Sequence, residues 1–227
     1  MMLWISLVSA QLAAESATIL MRDDFSTDGN LVGSTPDVGG VWAFQTNGLD
    51  PNQGSGPVTV SQGAFNVSST LAEDVYSNLT AVVSTGSVYA GMDINHATPS
   101  SLPIFGIGNA FTHFYAFNVN QRICLVRVVV DTSTGYRLKL GNVNAGGITA
   151  EMAYGTTYRL VYSYNTTDDR CSLWVDATSE ASAPIRTTNP VAASTTISAV
   201  AFQQTNSTPP WTLSIRNLIV ATTFAEA

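Results

Sequence analysis

Tyr158-Arg159-Leu160-Val161-Tyr162-Ser163-Tyr164, then Asn165-Thr166-Thr167-Asp168-Asp169, then Arg170-Cys171-Ser172-Leu173-Trp174-Val175-Asp176 is the passage whose reading decides the fold. Tyr158, Leu160, Tyr162 and Tyr164 fall on one parity and Arg159, Val161 and Ser163 on the other, the period of two that belongs to a strand with one face inward. The polar cluster that follows is rich in turn formers. Alternation then resumes with Cys171, Leu173 and Val175 on one face. The passage predicts a β-hairpin, with Trp174 pointing to the face opposite Leu173 and Val175.

Working outward, the same alternation recurs along the chain. Ala17 to Phe25 reads as a first strand, and the Gly- and Pro-rich residues from Asp28 to Gly40 as an irregular connection. Trp42 and Phe44 mark a short strand, and Val58 to Ser61 and Ala64 to Ser68 a hairpin around Gln62-Gly63. Val75 to Val83 and Ser87 to Asn95, divided by Thr85-Gly86, read as a meander. Leu102 to Gly108, Phe111 to Val119 and Ile123 to Val130 follow, with Phe111, His113, Tyr115 and Phe117 sharing a parity. Tyr136, Leu138 and Leu140 continue the pattern before the hairpin. Beyond it lie a Ser/Thr/Ala/Pro-rich connection, Ala177 to Ser194, and strands at Ile197 to Gln204 and Trp211 to Thr223. No window combines helical periodicity with caps. About 12 to 14 short strands predict an all-β, two-sheet antiparallel sandwich, and a chain of 227 residues fits one such domain over residues 15–227.

Composition narrows the partners. The formal net charge is −7, and the nine Lys and Arg residues are scattered along the sequence, which argues against binding a phosphate backbone. Past the N-terminus no apolar run approaches the ~20 residues that span a bilayer. Residues 1–14, MMLWISLVSAQLAA, carry an apolar run from Leu3 to Val8 and a cleavable Val8-Ser9-Ala10, and read as a signal peptide whose first residues lack Lys and Arg. The mature chain is therefore expected outside the cell or on its surface. Cys124 and Cys171, the two cysteines, share parity with apolar neighbours and point inward, either as a disulfide or as two buried thiols.

Asp23-Asp24-Phe25 with Leu31-Val32-Gly33, the hairpin from Thr157 to Asp176, Ile197 to Phe202, and Ile215-Arg216-Asn217-Leu218-Ile219-Val220 together resemble the secreted bacterial concanavalin A-like, laminin-G-like jelly rolls, over residues 18–225. The resemblance implies that the first and last strands pair, with Asp23-Asp24-Phe25 beside Leu218 to Phe224. Such endings carry Asp before Asn where this chain has Arg216, a departure that bears on any calcium site beside that strand.

Enzymes of this fold that cleave β-glucans resemble one another in a Glu-x-Asp-x-x-Glu strand, which sets two carboxylates on one face for a retaining mechanism. None of Glu15, Glu73, Glu151, Glu180 or Glu226 begins it. Glu73-Asp74 is the one adjacent Glu-Asp pair and reads as a solvated loop pair. The Arg-x-Glu, Gln-x-His and Tyr-Phe-Lys stretches of alginate-lyase-like jelly rolls are missing, as are a Gly-x-Ser-x-Gly elbow and a phosphate loop before a helix. His96 and His113, the two histidines, fall short of a zinc set. No catalytic residue is assigned. Asp23, Asp24, Asp28 and Asn30 offer oxygens of the kind calcium prefers, although Asp-Gly-Asn is equally a turn signal. Trp42, Trp174, Trp211, Tyr76 and Tyr115 are candidate platforms for stacking a sugar ring, with core packing the competing reading. Asn66, Asn78, Asn165 and Asn206 begin glycosylation sequons. The reading is a secreted, non-catalytic jelly roll that binds glycan or another surface ligand and requires no cofactor, with calcium as the candidate ion. The alternatives are a self-associating component of an extracellular layer or filament, and a polysaccharide hydrolase or lyase with an atypical site.

Overall fold

The structure, a computed structural model, describes residues 18–45, 56–68, 71, 73–99, 106–117, 121–130, 134–141, 147–188, 195–204 and 211–227. The segment 1–14 read as a signal peptide and the sequon at Asn206 lie outside them. In chain order the strands are β1 (Ile19–Asp23), β2 (Gly29–Asn30), β3 (Ala43–Phe44), β4 (Thr59–Ser61), β5 (Ala64–Ser68) and β6 (Val75–Val83). Then come β7 (Ser87–His96), β8 (Gly106–Ala116), β9 (Gln121–Val130), β10 (Gly135–Leu140) and β11 (Met152–Ala153). The last five are β12 (Thr157–Asn165), β13 (Arg170–Val175), β14 (Ile185–Thr188), β15 (Ile197–Phe202) and β16 (Thr212–Ala221). A nine-stranded sheet runs β14-β13-β12-β7-β16-β5-β4-β2 with β1 also on β16, and a seven-stranded sheet runs β11-β10-β9-β8-β15-β6-β3. The pairings are antiparallel. No helix of the described residues is long and apolar enough to cross a membrane.

The hairpin forms as its alternation predicts, in register from Leu160 opposite Val175 to Asn165 opposite Arg170. At its turn, Asn165 Oδ1 accepts from the backbone N–H groups of Thr167 and Asp168 at 2.8 and 3.3 Å, an Asx arrangement that fixes the reversal. Leu160, Tyr162, Tyr164, Cys171 and Leu173 enter the core between the sheets. The other parity is covered too. Val161 and Trp174 join Tyr89 in a second cluster under Phe224, Ala177 and Ala227. Trp174 thus lies on the outer face, as its parity predicts, but it is buried there and donates to Ser182 O at 3.0 Å. β1 pairs with β16, setting Asp23 opposite Leu218, the arrangement that the jelly-roll resemblance implies.

Two expectations are corrected. Val75 to Val83 and Ser87 to Asn95 do not form a meander: β6 pairs with β15 and β3 in one sheet, and β7 with β12 and β16 in the other. The chain crosses between sheets through Gly86, whose φ of 79° suits a tight reversal. A period of two reports which residues face the core but not which sheet they reach it from. The connection from Ala177 to Ser194 also contains β14, which adds to the hairpin by pairing with β13.

Cys124 and Cys171 are bonded, joining β9 to β13 across the sandwich with their Cα atoms 5.5 Å apart. Between the pairs Phe114–Ile123 and Thr112–Val126, β9 holds one residue more than β8. Cys124 sits in this bulge at a φ of 55°. Because the bulge resets the alternation, Ile123 and Cys124 both enter the core, while Arg122 and Arg127, of opposite parity in the sequence, share the outer face.

His96, at the end of β7, is buried between Tyr136 and Tyr154, with ring centroids 4.6 and 4.9 Å away. Burial lowers its pKa from 6.5 to about 4, against the opposing pull of a contact with Ala97 O at 2.6 Å.

Breaking the disulfide with the paired Cys124→Ser and Cys171→Ser substitutions should cost about 4 kcal/mol, the loop-closure value for a separation of 47 residues. Chemical denaturation of the variant, and of the native protein with and without reductant, checks this. Acid should destabilise the protein by a second route. The unfolded chain protonates its histidine near 6.5 and the folded chain only near 4, so stability present above that window is lost as pH falls through it, by about 3 kcal/mol at most. Unfolding at stepped pH should show a shallower loss in His96→Gln, and an unchanged slope would sink the assignment.

Candidate ligand-binding face

Most of the residues picked from the sequence serve the fold. Trp42 is 1% exposed and packs among Phe25, Phe65 and Phe202, at ring centroid distances of 6.4, 6.3 and 5.9 Å. Its indole N–H donates to Asp23 Oδ2 at 2.7 Å, and Asp23 Oδ1 accepts from Phe25 N at 2.8 Å. Both oxygens of Asp23 are therefore engaged inside the protein, and burial raises its pKa despite those two donors. Trp211 is buried in the same core. Asp24, Asp28 and Asn30 are exposed, and Asp24 and Asp28 accept from the backbone N–H groups of Ser26 and Gln62. Asp23 thus faces inward while its three supposed co-ligands face solvent. Among the described residues no three His, Cys, Asp or Glu side chains gather as a metal would require.

Glu73 and Asp74 are not a solvated pair: they are 2% and 4% exposed. The reason is local. At the entry to β6, Glu73 accepts from Val58 N at 3.3 Å and Asp74 from Gln204 N at 3.0 Å, so backbone donors draw the two carboxylates inward in different directions. Burial raises the Glu73 pKa.

Tyr76 and Tyr115 belong to a different setting, the outer face of the seven-stranded sheet. β15 crosses the middle of this face with only the methyl groups of Ala199 and Ala201. Ala201 lies opposite Tyr76 on β6 and His113 on β8, and Ala199 opposite Asn78 and Tyr115. Both alanines are fully buried, so what this face leaves open to solvent is carried by the rings beside them. Tyr76 is half-buried and meets Phe117, which is 40% exposed, edge to face at 5.3 Å. Tyr115, almost wholly covered, backs Phe117 at 4.8 Å. Phe111, of the same parity in the sequence, sits at a bulge of β8 and joins the main core instead.

Polar groups border the rings. Arg122, opposite Tyr115, donates to Gln203 Oε1 at 2.6 Å and pairs with Asp74 at 3.6 Å. Arg127 donates to Gly141 O at 3.1 Å. On β10, Arg137 and Lys139 alternate with the core residues Tyr136, Leu138 and Leu140, and so extend the same face. The alternation of Arg137 and Lys139 was readable in the sequence. Arg122 was not, since it shares parity with inward Cys124 until the bulge intervenes. His113 is fully buried, and neither ring nitrogen has a hydrogen-bond partner. Burial, with Arg122 and Arg127 nearby, holds its pKa well below the usual histidine value.

No protein-family model and no curated protein sequence matches the chain. Among solved structures it is similar to one described in terms of endo-acting O-glycanases that prominent members of the human gut microbiota express to initiate mucin breakdown. That match has 13% identity, covers 91% of this chain and 100% of the other, and has a TM-score of 0.52. A sialidase matches with 14% identity over 88% of this chain at a TM-score of 0.50, and the chain spans 18% of that protein. The fold is a concanavalin A-like jelly roll. A UEA-II lectin complexed with galactose also matches, with 10% identity over 86% of this chain and 98% of the other and a TM-score of 0.47. At these identities the likeness shows the fold alone.

If Trp42 and Asp23 form a structural pair, Trp42→Phe should destabilise the protein by about 1.5 to 3 kcal/mol, the range for losing a hydrogen bond to a charged group. Thermal unfolding measures the cost. A variant as stable as the native protein would contradict the pairing.

Proposed function

We propose that the protein is a non-catalytic module that binds glycan on the outer face of its seven-stranded sheet. The observation that carries this reading is the aromatic pair on that face, Phe117, 40% exposed, against half-buried Tyr76, backed by Tyr115 and bordered by exposed Asn78 and by Arg122. A sugar ring places its C–H face on an aromatic surface and its hydroxyls on amide and guanidinium groups, and this face offers both within a few residues. The fold shared with structures named for O-glycanases and a sialidase supports the ligand class. The disulfide supports an oxidising, extracellular setting. The missing Glu-x-Asp-x-x-Glu strand and the inward commitment of Glu73 and Asp74 favour binding without cleavage. Calcium enters as a variable of the test, not as a requirement.

Screening against a glycan panel with and without calcium should find binding that the combined Tyr76→Ala and Phe117→Ala substitutions weaken by about tenfold or more. Both rings are accessible, so the variant's melting temperature should stay close to the native one. Failure to bind any glycan, together with ordered self-association on sizing, would favour a structural component of an extracellular layer instead.

A further inference from the structure

We infer that the outer face of the nine-stranded sheet holds a second, separate site, which takes a neutral linear oligosaccharide by hydrogen bonding. It shares a ligand class with the reading above and none of its residues, so either stands without the other. A depression of about 520 Å³ opens where β12, β7 and β16 lie side by side, lined by Asp93, Asn95, Thr157, Ser214, Arg216 and Asn217. All six are exposed or half-buried. The volume is that of a small-molecule pocket, but such pockets are mostly apolar. Here the one apolar residue of the described lining is Ile94, whose side chain belongs to the core. A lining of donors and acceptors suits a ligand that is itself polar on every side.

Strand register extends the depression into a row. Thr157 stands opposite Asn95, Asn95 opposite Ser214, and Ser214 opposite Asn66 on β5. Thr59 on β4, one residue before the Val60–Phe65 pair, and Asn30 opposite it on β2 carry the line onward. Hydroxyl and amide thus alternate across six strands, over about 24 Å at about 4.8 Å per strand. One sugar unit of an extended chain is close to that spacing in length. Every residue of the row keeps exposure. The solvent side of an antiparallel sheet is polar in any case. This row differs in carrying short, neutral groups that each donate and accept, with no Lys or Glu to stand over them.

Asp93 and Arg159 neutralise each other beside the row, which favours a neutral ligand. Asp93 accepts from Arg159 Nη1 at 3.2 Å through one oxygen and from Asn217 Nδ2 at 2.6 Å through the other. Asn217, at a φ of 51°, sits in the bulge of β16 between the Arg216–Asp93 and Ile219–Gly91 pairs, so Arg216 and Asn217 are both exposed. Ala227 lies against Gly91 and accepts from Arg159 at 2.8 Å, closing the depression on the side of Tyr89. What stays open is hydrogen-bonding capacity. Among the described residues the side chains of Ser214, Arg216 and Asn66 make no hydrogen bond or ion pair, and Thr157 Oγ1, which accepts from Asn95 Nδ2 at 3.2 Å, keeps its own proton to donate. One solvated guanidinium on a chain of net charge −7 draws anions weakly. Its fork of donors, beside a serine hydroxyl, matches the adjacent hydroxyls of a sugar.

The test is calorimetric titration of the full chain with neutral β-glucan, mannan and xylan oligosaccharides of two, four and six units, a uronate hexamer, and an extended neutral peptide of similar length, at low and at physiological salt. At least one neutral series should bind, tighten by about tenfold or more from two units to six, and hold its affinity within about twofold as salt rises. The paired Ser214→Ala and Arg216→Ala substitutions should weaken that binding by about tenfold or more, and Asn66→Ala should weaken the hexamer while sparing the dimer. None of these side chains has a partner in the fold among the described residues, so melting temperatures should hold. The Tyr76→Ala and Phe117→Ala variant should keep the binding assigned to this face. Binding that survives loss of Ser214 and Arg216 but not of Tyr76 and Phe117 would overturn the second site and leave the aromatic one standing. The reverse pattern would overturn the aromatic reading and support this site. Equal weakening of dimer and hexamer by Asn66→Ala would overturn the path along the row. Tightest binding of the uronate or the peptide, or no binding of any neutral series, would overturn the inference outright.

Discussion

The bond between Cys124 and Cys171 depends on the extra residue that β9 carries at Cys124, for without that bulge the strand's alternation would not seat both Ile123 and Cys124 in the core. The same residue decides what the opposite face carries. Upstream of the bulge Arg122 turns outward beside Tyr115, and downstream Arg127 does the same beside Ala110. One backbone irregularity therefore ties the two sheets together and assembles half of the cationic edge. A bulge costs a strand its regular ladder, and here the lost regularity is offset by a covalent link and by the placement of two charges.

The fold was legible because most of the information it needs is local. The parity of Tyr158 to Val175 places Leu160, Tyr162, Cys171 and Leu173 inward without knowledge of what lies across from them, and the Asn165 turn closes with the residues that stand there. Sheet membership was not legible at β6 and β7, since inward residues of facing sheets and of adjacent strands alternate identically. The site was legible in part. Of the rings picked as platforms, Tyr76 keeps part of its surface open on the outer face, whereas Tyr115, Trp42, Trp174 and Trp211 are buried by packing. The cations looked scattered because strand pairing and a bulge, neither written in local spacing, bring them together. Glu73 and Asp74 looked solvated because their backbone partners, Val58 and Gln204, are distant in sequence.

The two outer faces of the sandwich have opposite fates. On the nine-stranded sheet, Tyr89, Val161 and Trp174 are roofed by Phe224 and Ala227, and Tyr89 donates to Glu180 at 2.7 Å from the loop after β13. Large apolar side chains there behave as a second core. On the seven-stranded sheet the rings of Tyr76 and Phe117 retain exposure, and β15, which lies between β6 and β8, turns Ala199 and Ala201 to that face. The asymmetry leaves the Tyr76 and Phe117 rings open on one side of the molecule, the side to which the glycan reading assigns binding.

Asp74 joins that side to the rest. One of its oxygens faces Arg122 and the other accepts from Gln204 N, while the Gln204 side chain accepts from Ser68 N at the end of β5 and donates to Gly56 O. A ligand that drew Arg122 away would take a cation from beside a carboxylate that is 4% exposed, and the cost of weakening that buried pair opposes the movement. Arg122 is accordingly a fixed charge at the rim and not a clamp that folds over its guest. On the glycan reading, recognition at such a rim resembles a rigid template: it spends little ordering entropy on arrival, and it would select among sugars by where their hydroxyls already lie.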